Sequence, residues 1–407
     1  MAELNFIDLF AGAGGLSEGF VRAGFSPIAH VEIDKNACDT LQTRNAYYYL
    51  KKKNDLGIYY DYLKKSISKQ ELFQELSFLE QNVIHHAIGE DNSKIFNRID
   101  EKLHNKNIDL IIGGPPCQAY SVVGRYRLLK SKDEDPRNLL YKEYAKFLKK
   151  YKPKVFVFEN VLGLLSAEKG KYFNNLKKYF KSIGYDLDYR VLNASEFGVL
   201  QDRKRVIIIG WRKDLDFSYP IFDFKENHNS VKDILLDLPF LNPGDNEPIS
   251  FYSKENNSYL KNAFIREESE FVTQHITRQH NQRDLKIYKI AIEKWLNEKK
   301  RLNYPDLPNE LKTHKNESSF IDRFKVVNVN GFSHTVLAHI AKDGHYYIYP
   351  SLEQIRSLSV REVARIQSFP DNYYFEGGRT AAFKQIGNAV PPLMAYEIAK
   401  KIMELLK

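Results

Sequence analysis

Short apolar runs alternate with stretches of helical periodicity through the first half of the chain. The apolar runs have the length of strands and read LNFIDLF, PIAHVEI, IDLIIGG, VFVFENV, YDLDYRVLN and RVIIIGW. The helical stretches between them read GLSEGFVRAGF, NACDTLQTRN and NLLYKEYAKFLKKY, with a further one near residues 171–183. Strands that are apolar throughout and alternate with helices are typical of a mostly parallel sheet covered by helices on both faces. The pattern therefore predicts an α/β fold.

The regular pattern is interrupted in two places, which predicts how the chain is divided. Residues 46–88 are rich in Tyr, Lys, Leu and Glu at helical spacing and predict a helical insertion. After Trp211 the alternation fades until about residue 345, and it returns with SVREVARIQSF and a helix after GNAVPP. We therefore predict a first domain over residues 1–215, a second, smaller domain over residues 216–345, and a segment over residues 346–407 that returns to the first domain.

Charge and cysteine content narrow the class of protein. The chain has 61 Lys and Arg against 52 Asp and Glu, a net charge of +9, which favours a polyanionic partner, although a well-solvated surface would also explain it. Its two cysteines, Cys38 and Cys117, predict neither a disulfide framework nor a metal site. No apolar run approaches the roughly 18 residues of a membrane-spanning helix, and the start lacks the pattern of a secretion signal. We therefore expect a cytoplasmic protein with no membrane segment.

The stretch DLFAGAGG, residues 8–15, places three glycines where the first strand turns into a helix. Glycine lets the backbone approach a ligand closely, and N–H groups at a helix start attract polar or anionic groups. Glu32, at the end of the next strand, is placed to accept hydrogen bonds from ribose hydroxyls. The pattern predicts a nucleotide-like cofactor, while a turn formed only for packing and a NAD-dependent oxidoreductase remain alternatives.

The stretch GGPPCQAYS, residues 113–121, places Cys117 directly after glycines and prolines at the end of a strand. These residues favour a stiff turn at the sheet edge where ligands of open α/β sheets bind. A thiol there is a candidate nucleophile. A buried, inert cysteine is the ordinary alternative, which we prefer for Cys38.

Two further strands carry groups that suit catalysis, one at its end and one at its start. Glu159 leaves the apolar strand VFVFEN, where partial desolvation suits a carboxyl to hold or deliver a proton. In QDRKR, Arg203 and Arg205 share one face of a strand and are placed to fork onto a carbonyl or a phosphate. A strand-end cap and ordinary surface charge are the respective alternatives.

Seven stretches occur in order: FIDLFAGAGG, HVEID, GGPPCQAYS, FENV, QDRKR, SVREVARIQSFPD and QIGNAVPP. Together they closely resemble the DNA (cytosine-5)-methyltransferases, in particular those of bacterial restriction-modification systems. The resemblance covers roughly residues 4–212 and 350–404. It implies a Rossmann-like, S-adenosylmethionine-dependent methyltransferase sheet, with a second, smaller target-recognition domain inserted before SVREVARIQSF.

The resemblance implies that S-adenosylmethionine is the methyl donor and that no metal takes part. The residues that it places at the cofactor are Phe10, Ala11, Gly12, Gly14, Gly15, Glu32, Ile33, Asp91, Pro116, Asn388 and Val390. Glu32 would bind the ribose and Ile33 would pack on the adenine. Asp91, in GEDNSKI, is the expected adenine contact.

The resemblance also implies a mechanism. Cys117 would add to carbon 6 of a cytosine flipped out of the duplex, while Glu159 acts at N3 and Arg205 holds the carbonyl oxygen. Arg203 would support the adjoining loop. Residues 121–137 resemble the loop that closes over DNA, and the expected DNA contacts near the nucleophile are Gln118, Ser121 and Arg125.

One position departs from the family pattern. Where the family commonly has proline before the glutamine of QDRKR, this chain has Leu200. Since proline restricts φ and removes a donor, its loss affects the turn and removes no reactive group.

The stretch QHITRQHNQR, residues 274–283, is dense in groups able to hydrogen-bond base edges or phosphates. It predicts DNA contacts by Arg278 and Asn281 above all, with His275, Thr277, Gln279, His280 and Arg283 as further candidates. A polar surface loop is the alternative.

The expected partner is double-stranded DNA, and a restriction endonuclease of the same specificity is a possible functional pair. We expect a monomer associated with the bacterial nucleoid through DNA. A DNA-binding protein with a vestigial active site and an RNA cytosine methyltransferase are the remaining alternatives.

Overall fold

The computed structural model describes residues 3–407 except 75, 81, 105, 117–139, 225, 268, 314–317 and 319–320. The strands are β1 (Asn5–Leu9), β2 (Ser26–Glu32), β3 (Val83–His85), β4 (Leu110–Gly113), β5 (Val155–Asn160), β6 (Tyr185–Asn193), β7 (Gln201–Asp202), β8 (Lys204–Arg212), β9 (Ile249–Phe251), β10 (Phe271–Thr273) and β11 (Ser333–His334).

The α-helices are α1 (Gly15–Arg22), α2 (Lys35–Lys53), α3 (Gly57–Leu63), α4 (Lys69–Leu72), α5 (Ser77–Glu80), α6 (Asn92–Leu103), α7 (Leu140–Tyr151), α8 (Gly163–Ser166), α9 (Lys171–Ser182), α10 (Val231–Leu235), α11 (Ser258–Asn262), α12 (Gln282–Glu298), α13 (Val360–Ile366), α14 (Arg379–Asn388) and α15 (Pro392–Leu406). Short 3-10 helices are Ala167–Gly170, Ala194–Phe197, Tyr304–Asp306, Asn309–Leu311 and Ala338–Ala341.

A seven-stranded sheet carries the first part of the chain, in the order β3-β2-β1-β4-β5-β8-β6. The strands from β3 to β5 in this order are parallel, and β8 runs antiparallel to both of its neighbours. The central strands β1 and β4 are buried along their whole length, which explains why their residues are apolar on both faces. The predicted mostly parallel α/β sheet is confirmed.

Helices cover both faces of this sheet. On one face Phe6 and Val157 pack in the same core as Phe20 of α1 and Ile398 of α15. Gly19 allows this arrangement, because a Cβ there would clash with the backbone of α15. On the other face Ile7 and Phe156 pack with residues of α6, α7 and α9. Residues near the end of the chain thus complete the first domain, on the face that α1 also covers.

The region of residues 46–88 is mostly helical but contains one strand. It holds the end of α2 and all of α3, α4 and α5, whose apolar side chains form a small core with Phe271. Val83–His85 pairs with β2 and forms the edge of the main sheet, so the range is not wholly helical. Because this strand is only three residues long, helical spacing around it dominates the sequence pattern.

The predicted boundary at residue 345 divides a single core. Val231 and Leu260 pack in the same cluster as Val363, Phe369 and Phe383. Part of the segment over residues 346–407 therefore packs with residues of the predicted second domain, and α15 packs on the first. A separate core lies around α12, where its buried side chains meet residues between 302 and 348.

Candidate active site

The carboxylate of Glu32 organises the turn that follows β1. Glu32 ends β2, which lies beside β1, and its Oε2 accepts a hydrogen bond from Gly12 N at 2.7 Å. Its Oε1 accepts hydrogen bonds from Ile33 N and Asp34 N, each at 2.8 Å. One half-buried carboxylate therefore joins the glycine turn to the loop after β2.

The glycines of this turn have two different physical roles. The backbone is left-handed at Phe10, Gly12 and Gly14, with φ of 57°, 54° and 80°. An added Cβ at Gly12 would meet no atom within 4 Å, so open space lies in front of the turn. At Gly15 it would clash with the carbonyl oxygen of Val390. Gly15 is therefore required by packing, while Gly12 borders space that a ligand can fill.

Other predicted cofactor residues lie around the same turn. Ala11 is nearly buried and its N–H donates to Val31 O at 3.1 Å. Ile33 is 63% exposed, which is high for a large apolar side chain next to a polar loop. Val390 is buried against Gly15, and Asn388 is exposed at the end of α14. The C-terminal segment thus meets the ends of β1 and β2 at this turn.

Asp91 lies at the start of α6 and caps it. Its Oδ1 accepts a hydrogen bond from Ser93 N at 3.2 Å and from the Ser93 hydroxyl at 2.5 Å. These hydrogen bonds hold the pKa of Asp91 below its usual value, and Lys94 adds to the effect. This capping role accounts for an acidic residue at position 91.

Glu159 and Arg205 form an ion pair at the carboxyl end of β5, next to the start of the neighbouring strand β8. Arg205 Nε lies 2.9 Å from Glu159 Oε1, and the two side chains are only 11% and 14% exposed. The guanidinium also donates to Lys204 O at 2.8 Å. The carboxyl group can exchange a proton, and the guanidinium can donate hydrogen bonds. Both lie at the carboxyl ends of the parallel strands, where ligands of open α/β sheets bind.

The Gly-Pro-Pro turn after β4 contacts the end of β5. Asn160 is 4% exposed, and its Nδ2 donates to Pro115 O at 3.1 Å. An added Cβ at Gly114 would lie 2.7 Å from Glu159 Oε2, so the turn passes close to that carboxylate and a side chain there would displace it. Pro116, predicted at the cofactor, is exposed at the end of this turn. Asn160 is part of the motif FENV, but its contact with the turn is not predictable from the sequence.

The predicted nucleophile and its neighbours lie outside the described residues. These are Cys117, Gln118, Ser121 and Arg125, together with the stretch of residues 121–137 that resembles a DNA-closing loop.

The prediction that Arg203 and Arg205 share one strand face is wrong, and their side chains bind different partners. Arg203 is fully buried, and its guanidinium donates to the carbonyl oxygens of Val336 at 2.5 Å, Ala389 at 2.9 Å and Gly387 at 3.2 Å. Arg205 instead faces Glu159. The reason is that Arg203 lies between β7 and β8, where the backbone leaves the regular strand. Arg203 therefore connects the first domain to two distant segments.

Gln201 makes a second connection of this kind, which the sequence did not predict. Its Nε2 donates to Gln367 Oε1 at 2.8 Å, and its Oε1 accepts from Val336 N at 2.8 Å. Leu200, which replaces the family's usual proline, is buried, and its carbonyl accepts from Ser333 N at 3.0 Å. The motif QDRKR thus holds the two domains together as well as supplying Arg205.

Four of the ten residues in the predicted recognition stretch are buried, and the hypothesis that the stretch reads bases is wrong for three of them. His275 and Thr277 are 1% and 0% exposed, and His280 is 7% exposed. His275 hydrogen-bonds Ser359 Oγ and Pro239 O, each at 2.9 Å. Burial lowers the pKa of His275 to about 4, which makes it neutral at pH 7. The partners of the other two side chains are Asn242 O for Thr277 and Ser357 Oγ for His280, so all three are hydrogen-bonded inside the protein.

The two favoured DNA contacts of this stretch also have structural partners. Arg278 is half-buried and donates to Ile340 O at 2.9 Å and to Ala341 O at 2.8 Å. Asn281 caps α12, and its Oδ1 accepts from Asp284 N at 2.8 Å. The guanidinium of Arg278 is therefore partly engaged within the protein, and its contact with DNA stays a prediction. Within the stretch, Gln279, Asn281, Gln282 and Arg283 are exposed.

Among the described residues, no group of three or more His, Cys, Asp or Glu side chains is arranged to hold a metal ion. Within the same part of the chain, no helix has the length and apolar character needed to cross a membrane.

Comparison with known protein families identifies the family of this chain. The family described as C-5 cytosine-specific DNA methylase matches residues 4–62 and 73–404. The chain belongs to this family. It is therefore a C-5 cytosine DNA methyltransferase, and the predicted resemblance is confirmed. A NAD-dependent oxidoreductase is excluded.

Curated relatives of this C-5 cytosine methyltransferase are type II methyltransferases. M.Bpa9945I of Bacillus paralicheniformis is 42% identical over 439 aligned residues, covering 98% of each chain. M1.HphI of Haemophilus parahaemolyticus is 32% identical, covering 99% of this chain and 87% of its own. These relatives support a place in a bacterial restriction-modification system.

Solved structures agree with the fold of the methyltransferase. A DNA modification methyltransferase encoded within an E. coli prophage has a TM-score of 0.67 at 26% identity, with 99% of both chains covered. EhMeth of Entamoeba histolytica has a TM-score of 0.59 at 15% identity over both complete chains, which shows the fold alone. The Rossmann-like methyltransferase fold is confirmed.

Proposed function

We propose that the protein transfers a methyl group from S-adenosylmethionine to carbon 5 of a flipped-out cytosine in a specific double-stranded DNA sequence, through a covalent adduct with Cys117. The observation that carries this proposal is the shielded pair of Glu159 and Arg205, which lies beside the turn that leads to Cys117. The family and its type II relatives supply the reaction and the DNA substrate.

The residues around the first turn fit S-adenosylmethionine. Gly12 borders open space, Glu32 offers a carboxylate edge, and Ile33 offers an exposed apolar surface. Glu32 would accept hydrogen bonds from the ribose hydroxyls and Ile33 would cover one face of the adenine. Asp91 and Asn388 are proposed as further contacts. The bound cofactor supplies an electrophilic methyl group.

The chain's own residues would activate the cytosine ring. The Cys117 thiolate adds to carbon 6, and the carboxyl of Glu159 holds a proton at N3, which draws electrons from carbon 6. Arg205 donates to the carbonyl oxygen and keeps Glu159 oriented. After carbon 5 has gained its methyl group, loss of the carbon 5 proton and departure of the thiolate restore the aromatic ring.

Access to carbon 6 requires the base to leave the stack, which costs a few kcal/mol. Contacts from Gln118, Ser121 and Arg125 to the strand would offset this cost. The net charge of +9 suits a protein that neutralises phosphates. We further propose a monomer that acts on DNA in the bacterial cytoplasm, where it protects host DNA from an endonuclease of the same specificity.

Bisulfite sequencing of DNA from a bacterial host expressing the chain tests the activity and identifies the methylated sequence together. We expect one short motif to be methylated by the wild type and none by Cys117→Ala. The matched control is Cys38→Ala, since Cys38 is buried against Ala11 and Leu41 and should keep the activity.

Trapping on DNA containing 5-fluorocytosine tests the adduct itself. We expect a covalent complex with the wild type and with Cys38→Ala, and none with Cys117→Ala. Unmodified cytosines with a folded wild-type protein would revive the vestigial DNA-binding alternative. Methylation of RNA in place of DNA would contradict the proposed substrate.

A further inference from the structure

The carboxyl ends of β4 and β5 are joined by one buried side chain, Asn160. Its Nδ2 donates to Pro115 O at 3.1 Å, and its Oδ1 accepts a hydrogen bond from Val161 N at 2.9 Å. Both polar atoms of the amide are therefore used, and the side chain is 4% exposed. A side chain held at both ends in this way restrains the backbone that it contacts.

The position of this contact is informative. Glu159, the residue before Asn160, carries the carboxylate of the site, and Pro115 lies two residues before Cys117. Proline at 115 removes the N–H of that residue, so its carbonyl is the backbone group left to hold the turn. The register confirms the closeness of the two strand ends, since Gly113 pairs with Phe158.

Gly114 shows how tightly the two ends approach each other. A Cβ there would lie 2.7 Å from Glu159 Oε2, so the turn passes directly against the catalytic carboxylate. A small displacement of the turn would therefore alter the distance between Glu159 and the chain that continues to Cys117. A displacement of about 1 Å can lower an enzymatic rate by about a hundredfold.

We propose that Asn160 is a positioning residue for methyl transfer, which acts by holding the carbonyl of Pro115 against the end of β5. The inference rests on the proposed function, because it concerns the turn that presents the proposed nucleophile. Asn160 does not touch the substrate in this proposal. It sets where the Gly-Pro-Pro turn lies relative to Glu159 and Arg205.

The test uses Asn160→Asp and Asn160→Ala in the full chain. Aspartate keeps the acceptor for Val161 N and the shape of the side chain but has no donor for Pro115 O. Single-turnover methyl transfer is measured on a DNA duplex carrying the sequence found by bisulfite sequencing, well below the unfolding temperature. We expect the rate per folded molecule to fall by about 10- to 100-fold in both variants, with KM for the methyl donor changed less than about twofold.

The matched control is Asn5→Ala. Asn5 is also a buried asparagine on a strand, and its Nδ2 donates to Asn107 O at 3.2 Å, but it lies at the opposite end of the sheet. We expect it to lose thermal stability without losing the single-turnover rate. If the Asn160 variants behave like Asn5→Ala, Asn160 is only structural and the inference is overturned.

Covalent trapping on 5-fluorocytosine DNA separates this inference from the proposed function. We expect the Asn160 variants to form the adduct more slowly than the wild type. If Cys117→Ala methylates DNA at the wild-type rate, the proposed covalent adduct with Cys117 is refuted. The methyl-transfer rates of the Asn160 variants then still decide whether Asn160 is a positioning residue. Wild-type rates in both Asn160 variants would refute it whatever happens at Cys117.

Discussion

Arg205 Nε lies 2.9 Å from Oε1 of Glu159, and the two side chains are diagonal neighbours on the antiparallel strands β8 and β5. Both are largely shielded from water, at 11% and 14% exposure. Shielding makes each charge depend on the other, because an unpaired charge in this position loses its hydration without compensation.

We predict that Glu159→Gln lowers the single-turnover rate of methyl transfer by about 10²- to 10⁴-fold, because glutamine cannot hold or deliver a proton. Arg205→Lys should also lower the rate, since lysine lacks the planar fork of the guanidinium. The control is Arg212→Ala on the same strand, whose pair with Asp214 is exposed. Equal rates in Glu159→Gln and the wild type would contradict a chemical role for this carboxyl.

Gly12→Ala should impair mainly cofactor binding, whereas Gly15→Ala should impair mainly the stability of the fold. We expect Gly12→Ala to fold with a modest loss of stability from its φ of 54°, but to bind S-adenosylmethionine weakly, because the new methyl group enters open space at the turn. Gly15→Ala should lose about 1–3 kcal/mol of stability, because its Cβ would clash with Val390 O. Thermal unfolding and isothermal titration distinguish the two, and the reverse pattern would contradict the placement of the cofactor.

Glu32→Ala should weaken cofactor binding and loosen the first turn together. Its carboxylate accepts hydrogen bonds from three backbone N–H groups, those of Gly12, Ile33 and Asp34. Hydrogen bonds to a charged group contribute about 1.5–3 kcal/mol, so losing those that Glu32 would accept from the ribose hydroxyls should raise Kd at least tenfold. Glu71→Ala is the control, since Glu71 also accepts a backbone N–H, from Ser68 at 2.7 Å, outside the matched family region. Titration calorimetry measures both, and equal Kd values would contradict the prediction.

Acid stability should depend on Glu18. Burial alone would raise the pKa of Glu18, but Arg44 and Arg22 outweigh it and lower that pKa from 4.5 to about 2. The folded protein keeps this carboxylate ionised where the unfolded chain protonates it, so its contribution to stability is present above about pH 4.5 and is lost as the pH falls towards 2.

We therefore expect Glu18→Gln to be less stable at neutral pH, by about 3–5 kcal/mol, because it leaves Arg44 buried without its partner carboxylate. Its stability should also decline less steeply with falling pH than that of the wild type. Urea unfolding at a series of pH values between about 7 and 2 measures both effects, because the difference in slope should develop below about pH 4.5. Parallel curves for the two proteins would show that Glu18 does not contribute to acid sensitivity.

The sheet was predictable because its strands are apolar on both faces. β1, β4, β5 and β8 are buried along most of their length, and a short apolar run between helical stretches is sufficient to locate such strands. β3 was missed because its three residues are too few to interrupt the helical spacing around them. One core draws on residues from both sides of the predicted boundary at residue 345, a contact between distant residues that local periodicity does not indicate.

The recognition stretch shows where residue type misleads. A run of histidine, threonine and arginine looks like a surface that reads DNA, yet His275 and Thr277 are buried and hydrogen-bonded within the second domain. Polar side chains suit a protein interior equally well when partners are present. The sequence contains no local signal for those partners, since Ser359 is distant in the chain from His275.

The sequence by itself determined the fold class and the chemical groups of the site, because strand and helix periodicity and the spacing of motifs are local properties of the chain. Only the tertiary structure decided that Arg205 pairs with Glu159 while Arg203 binds distant carbonyls, and that Asn160 holds Pro115. The physical reason is that each of these contacts joins residues far apart in the chain, and their geometry depends on how strands and loops pack against each other.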